Sequence, residues 1–157
     1  MAGYIWQLGI DWNAIQTGGV GYLRGALTTA ANERLSGTEM VNKDDTITFR
    51  IFDVSSSVQN RQVDAIESFG IDSQVAVKGL HINHPLSNLQ PTIGPLHEPA
   101  VQISLFGNAY CSWDSETVTV AAASGRFLLT VYLQARGTDG VVRLFNHDPE
   151  MVVGPFG

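Results

Sequence analysis

The sequence predicts an all-β protein, an antiparallel β-sandwich with at most one short helix, and three observations support that prediction. Several segments alternate apolar and polar residues, as half-buried strands do. Charged residues make up only 15% of the chain, against roughly 25% in average soluble proteins, and 16 glycines supply turn positions. A length of 157 residues fits one domain, so we expect residues 1–157 to form a single sandwich. A closed β-barrel is the alternative architecture.

The strand pattern is clearest at residues 46–52, where Ile47, Phe49 and Ile51 share one face of the chain and polar residues share the other. Residues 101–105 alternate in the same way. Near the C-terminus, the aromatic and β-branched segment 127–134 leads through Asp139-Gly140 into 141–145, which predicts a β-hairpin. Shorter strands are expected at 4–10, 75–82, 117–121 and 151–153.

Two segments fit a helix and a strand equally well. Residues 25–34 combine alanines at helical spacing with two threonines, and in 62–69 the apolar residues Val63, Ile66 and Phe69 recur every third position. Residues 85–99 contain four of the six prolines and are expected to form a long irregular connection, of a length more often functional than structural.

Net charge restricts the partners. Fifteen acidic and nine basic residues give a formal charge of −6, which weighs against nucleic acid and against an anionic membrane surface. The first residues lack the basic and apolar regions of a secretory signal, and no apolar run reaches the roughly 20 residues of a spanning helix. With Cys111 as the single cysteine no intrachain disulfide forms, so a cytoplasmic location is expected.

The candidate chemical groups are three histidines, His81, His84 and His97, which flank the proline-rich segment. Imidazoles bind zinc, and a turn at His84 could bring the three together into the site of a small metal-dependent enzyme. On one strand, however, His81 and His84 point to opposite faces, so polar residues at the mouth of a loop are the preferred interpretation. We therefore assign no metal ligand. The phosphate-binding, dinucleotide and serine-nucleophile motifs are all missing, so neither a cofactor nor a catalytic residue is assigned.

Three further features each have a structural and a functional interpretation. Cys111 stands between aromatic and small residues, which favours a core position over a reactive thiol. Asp44-Asp45 is the best local candidate for calcium, although turn-flanking aspartates are the simpler interpretation. The three tryptophans are Trp6, Trp12 and Trp113. They could form the sugar-stacking platform of a lectin-like module, but tryptophans are more commonly core residues.

Two segments resemble the AidA/PixA family of bacterial inclusion body proteins. Residues 43–50, Lys-Asp-Asp-Thr-Ile-Thr-Phe-Arg, are similar to that family's "GDTI-F" strand. The order of the C-terminal hairpin, Phe145, Asp148-Pro149 and a final apolar strand is similar too. The resemblance covers about a third of the chain. It implies a bacterial β-sandwich protein without enzyme activity that accumulates in the cell, sometimes as inclusions, under growth-phase or quorum-sensing control.

Three functions follow from these observations. The first is a non-enzymatic, self-associating protein of inclusion-body type, the second a module that binds carbohydrate or another small ligand, and the third the histidine-based metalloenzyme. With only two lysines to guard exposed strand edges, we expect a homodimer, with contacts from the outer face of the C-terminal hairpin at Leu128, Tyr132 and Leu144. If glycine- and proline-rich loops cover those edges, the protein stays monomeric.

Overall fold

The computed structural model describes residues 2–15, 20–31, 33, 39–54, 61–74, 85–86, 100–103 and 109–154. These residues form eleven strands and no helix: β1 (Gly3–Ile15), β2 (Val20–Thr29), β3 (Glu39–Asn42), β4 (Thr46–Asp53), β5 (Val63–Gln74), β6 (Ala100–Ile103), β7 (Ala109–Asp114), β8 (Val118–Thr119), β9 (Gly125–Gly137), β10 (Val142–His147) and β11 (Glu150–Gly154).

Hydrogen bonding joins the strands in the order β3-β11-β9-β10-β2-β1-β4-β7-β6. Strand β5 pairs with β9 along almost its whole length, and β8 pairs with β4. Although hydrogen bonds connect all the strands, the path folds over into two mixed sheets that pack against each other, so the predicted β-sandwich is confirmed. A contact between the sheets is visible at Phe49 of β4 and Phe69 of β5, whose ring centroids lie 5.6 Å apart although the two strands do not pair.

The core follows the strand alternation of the sequence. In β4, Ile47, Phe49 and Ile51 are buried, whereas Thr46 and Thr48 on the opposite face are half-buried. In β9 every second residue from Phe127 to Gly137 is buried. Because side chains alternate across a strand, this periodicity places one apolar face of each sheet in the shared interior.

The sheets are mixed, which corrects the purely antiparallel prediction. Strand β1 pairs in parallel with β4, β2 with β10, and β3 with β11, while the remaining pairs are antiparallel. Parallel neighbours cannot be joined by a tight turn and need a crossover. For β1 and β4 the crossover consists of β2 and β3. The alternation of apolar and polar residues within a strand does not indicate whether its neighbour is parallel or antiparallel.

Within the described residues, the greater part of each ambiguous segment is strand and neither contains a helix; residues 30 and 31 form a turn, and residues 32 and 34 are not described. Residues 25–29 belong to β2 and residues 63–69 to β5. The apparent helical spacing in β5 arises from two register shifts, one before Ala65 and one before Ser68. Each shift adds an unpaired residue, so Val63, Ile66 and Phe69, three positions apart, all point into the core.

The predicted C-terminal hairpin is confirmed. Strands β9 and β10 pair from Val142 opposite Arg136 to His147 opposite Val131. Gly140 has φ +81°, its N–H donates to the Gly137 carbonyl at 2.9 Å, and Asp139 Oδ1 accepts from the Val141 N–H at 3.0 Å. The glycine is required here because a left-handed backbone is unfavourable for other residues.

The shorter strands have mixed outcomes. Those predicted at 4–10, 117–121 and 151–153 correspond to β1, β8 and β11. Of residues 101–105, the first three are in β6 and the last two lie outside the described residues, as does the strand predicted at 75–82. Only Pro85 and Leu86 of the proline-rich segment are described, and Leu86 is buried and forms an isolated bridge with Val120.

Candidate functional site

The histidine hypothesis concerns residues outside the described part of the chain. His81, His84 and His97 all belong to the segments that the structure does not describe. Among the described residues, no group of three His, Cys, Asp or Glu side chains is placed to hold a metal ion. The metal-dependent interpretation therefore gains no supporting geometry.

The tryptophans and the cysteine are core residues. Trp6, Trp12 and Trp113 expose only 0%, 4% and 2% of their surface, and Trp6 stacks on Phe49 with ring centroids 5.5 Å apart. A sugar-stacking platform made of these three rings is therefore wrong, because a sugar could not reach them. Cys111 is free and buried, which confirms its predicted core position.

The two aspartates proposed for calcium have different surroundings. Asp44 is exposed and has φ +72°, a turn conformation that Asp tolerates better than most residues. Asp45 is buried, and its two carboxylate oxygens accept hydrogen bonds from the backbone N–H groups of Ala2 and Asn42, each at 2.8 Å. Both oxygens of Asp45 therefore already stabilise the backbone around the turn.

One surface stands out because large apolar side chains are exposed on it. Tyr132 of β9 exposes 38% of its surface, and Val142 and Leu144 of β10 expose 51% and 48%. In the antiparallel register Leu144 lies opposite Gln134, and Val142 opposite Arg136, so these side chains share the side of the sheet that faces away from the core. We call Tyr132, Gln134, Val142 and Leu144 the hairpin face.

The centre of the hairpin face is uncharged. Arg136, at its margin, forms an ion pair with Glu67 of β5, so this positive charge is paired within the chain. The side chain of Ser68, also on β5, donates a long hydrogen bond of 3.4 Å to Gln134. A surface of this kind has little attraction for a highly charged ligand and suits an apolar contact.

An ion pair with two hydrogen bonds lies away from the hairpin face, between β4 and β7. Arg50 donates from Nε and from its terminal amino group to the two carboxylate oxygens of Asp114, at 2.8 and 2.9 Å. This hydrogen bonding raises the pKa of Arg50, against the lowering effect of burial. Arg50 and Asp114 are directly paired across the two strands, so these hydrogen bonds support the register between β4 and β7.

The hairpin face includes residues that sequence reasoning missed. Tyr132 and Leu144, predicted as contacts, are exposed, but Leu128 is half-buried. Leu128 has strand neighbours on both sides, Glu150 of β11 and Gln74 of β5. Val142 was missed although its alternation with Leu144 signals the same face, and Val141 beside the turn is exposed as well.

The described residues contain no helix with the length and hydropathy that crossing a membrane requires.

The comparisons with known proteins do not assign the chain to a family. Neither a protein-family model nor a curated protein matches the chain.

Proposed function

We propose that the protein is a non-enzymatic bacterial β-sandwich protein that associates with itself, of the inclusion-body type that its sequence resembles. The observation that carries this proposal is the hairpin face, where Tyr132, Val142 and Leu144 expose large apolar surfaces around an uncharged centre. Exposed apolar side chains that cluster on one face are typical of protein interaction sites, whereas scattered ones are common on any surface.

Two of the groups considered for chemistry have structural roles in the described residues. The only cysteine is buried in the core, and the carboxylate of Asp45 is occupied by backbone amides. The location that we propose is the bacterial cytoplasm, in line with the resemblance and with a chain whose single cysteine excludes an intrachain disulfide.

Light scattering coupled to size exclusion tests self-association. We expect the mass to exceed the monomer value of 17.0 kDa and to rise with concentration through the micromolar range. The double variant Val142→Ser, Leu144→Ser should shift this rise to higher concentration, because it removes two exposed apolar side chains without disturbing the core. Val54→Ser is the matched control, since Val54 is exposed but does not belong to the hairpin. A stable mass of 17.0 kDa at high micromolar concentration would contradict the proposal.

A further inference from the structure

We propose that Asp139 is a modification site at which the chain isomerises spontaneously to isoaspartate, and that the closed turn between β9 and β10 protects it. This chemistry is independent of self-association. In the sequence, Asp139 is the only aspartate or asparagine that precedes a glycine. Glycine permits the reaction better than any other following residue, because it has no side chain to hinder attack by its own backbone nitrogen.

The reaction joins two groups that are neighbours along the chain. The backbone nitrogen of Gly140 attacks the side-chain carbon Cγ of Asp139. A C–N bond forms and a C–O bond breaks, and the carboxyl OH leaves with the amide hydrogen as water. Water then opens the cyclic imide. Cleavage between nitrogen and Cγ restores aspartate, whereas cleavage between nitrogen and the main-chain carbonyl carbon gives isoaspartate. Water is therefore the only co-reactant that the conversion requires.

Solvent reaches both residues of this pair. Asp139 and Gly140 are exposed, and no atom lies within 4 Å of a Cβ atom added to Gly140. Asp114, which precedes Ser115, differs because both of its carboxylate oxygens accept hydrogen bonds from Arg50, at 2.8 and 2.9 Å. At Asp139 neither burial nor an ion pair provides protection, so protection depends on the hydrogen bonds of the turn.

Hydrogen bonds engage both reacting groups in the closed turn. The Gly140 N–H donates to the Gly137 carbonyl at 2.9 Å, so its hydrogen is held by the turn. Asp139 Oδ1 accepts from the Val141 N–H at 3.0 Å and lies 2.6 Å from the position of a Cβ atom added to Gly137. The carboxylate is thus held between Gly137 and Val141. Both hydrogen bonds must break before the nitrogen and Cγ can join.

Contacts outside the turn keep it closed. The Trp12 ring packs on Gly137, and Arg143 lies over the same ring, 4.5 Å from its centroid, and donates to the Trp12 carbonyl at 2.6 Å. The Thr138 N–H donates to the carbonyl of Gln62, the residue before β5, at 2.9 Å. Opening the turn therefore requires a local unfolding that also breaks contacts with β1 and with the start of β5.

Isomerisation makes such an opening permanent. Isoaspartate places Cβ in the main chain, so the backbone between Asp139 and Gly140 becomes one atom longer. The turn's hydrogen bonds, from Gly140 to the Gly137 carbonyl and from Gly137 to the Val141 carbonyl, then cannot form with the same geometry. The dipeptide that favours the hairpin is thus also the point at which the hairpin can be lost.

Peptide mapping by mass spectrometry, with fragmentation that distinguishes isoaspartate from aspartate, tests the site in the full chain. The protein is incubated folded and in urea at one pH and temperature. We expect isoaspartate at residue 139 to form at least about tenfold faster in urea, a factor that corresponds to an opening free energy of only about 1.4 kcal/mol. Asp114 is the internal reference and should convert more slowly in urea, because serine follows it. Gly140→Ala should also slow conversion in urea, where folding no longer contributes.

Arg143→Gln tests the attachment to Trp12 in the folded chain. The variant removes the contacts of Arg143 with the ring and the carbonyl of Trp12, so the rate of isoaspartate formation should rise. Arg126→Gln is the matched control, since Arg126 lies at the opposite end of β9 and is paired with Glu150; it should leave the rate unchanged. Circular dichroism verifies that both variants are folded.

The outcomes separate the parts of the proposal. Isoaspartate that does not form at residue 139 in urea would overturn the site. Equal rates in the folded chain and in urea would overturn protection by the turn. A folded-chain rate that Arg143→Gln does not raise, or that Arg126→Gln raises equally, would overturn the role of the attachment to Trp12. Because each measurement is made on residue 139 itself, none of these results depends on whether the chain associates.

Discussion

Asp44 and Asp45 show how two identical neighbouring side chains acquire different roles. The carboxylate of Asp45 is buried and accepts hydrogen bonds from the Ala2 and Asn42 backbone amides, at 2.8 Å each. Its own N–H donates to the Asn42 carbonyl at 3.1 Å. Asp45 is therefore hydrogen-bonded to both the N–H and the carbonyl of Asn42, across the turn before β4. Asp44 is exposed and contributes a backbone conformation rather than side-chain contacts with the core.

Replacing Asp45 by Asn should destabilise the protein. The amide keeps one acceptor oxygen, but its NH2 group faces a backbone N–H that then has no acceptor, and an unsatisfied buried donor costs about 1–3 kcal/mol. Chemical denaturation measures the loss in the free energy of unfolding. Asp44→Asn is the matched control and should change little, because Asn also tolerates the left-handed conformation. Equal losses in the two variants would show that the buried hydrogen bonds are not the cause.

At the scale of the element, the β9–β10 hairpin combines a local signal with long-range contacts. The Asp139-Gly140 turn sets the register in which Leu144 lies opposite Gln134. At the same end of the hairpin, Arg143 lies over the Trp12 ring, 4.5 Å from its centroid, and donates to the Trp12 carbonyl at 2.6 Å. The hairpin is thereby attached to β1, a strand with which it does not pair directly.

Gly140→Ala tests the contribution of the turn by itself. No atom lies within 4 Å of the added Cβ, so the substitution introduces no clash and only the left-handed backbone opposes it. We expect a loss of about 1–2 kcal/mol in the free energy of unfolding, the usual cost of that conformation for a residue with a side chain. Thr138→Ala, an exposed position in the same turn, serves as control. A neutral Gly140→Ala variant would mean that the turn adopts another conformation in solution.

For the whole molecule, net charge and the hairpin face act in opposite directions. A charge of −6 on each copy opposes association, whereas the apolar surface of Tyr132, Val142 and Leu144 promotes it. Salt screens the first effect and leaves the second in place.

Association should therefore strengthen as salt concentration rises. Between about 0.1 M and 1 M salt the Debye length shortens from roughly 10 Å to 3 Å, which removes most of the repulsion between exposed charges. Sedimentation at both concentrations should show a larger fraction of the associated species in high salt. A decrease would indicate that complementary charges, rather than the hairpin face, hold the copies together.

The secondary structure of a segment could be predicted when the residues that determine it lie within that segment. Residues 46–52 were correctly predicted because the alternation of Ile47, Phe49 and Ile51 is contained within the strand. The hairpin was predicted because Asp139-Gly140 encodes its own turn. Residues 62–69 could not be assigned, since the bulges that bring Val63, Ile66 and Phe69 onto one face exist only when β5 pairs with β9.

By itself, the sequence determined that the chain is all-β, which strand faces are apolar and where the last hairpin turns. Those features depend on side-chain alternation and on the backbone preference of single residues, which neighbours along the chain define. Only the tertiary structure decided that β1 pairs in parallel with β4, that the tryptophans are inaccessible and that the Tyr132 ring lies over Gly70. The physical reason is that pairing and burial depend on residues distant in sequence, and no local pattern specifies which strand will cover a given face.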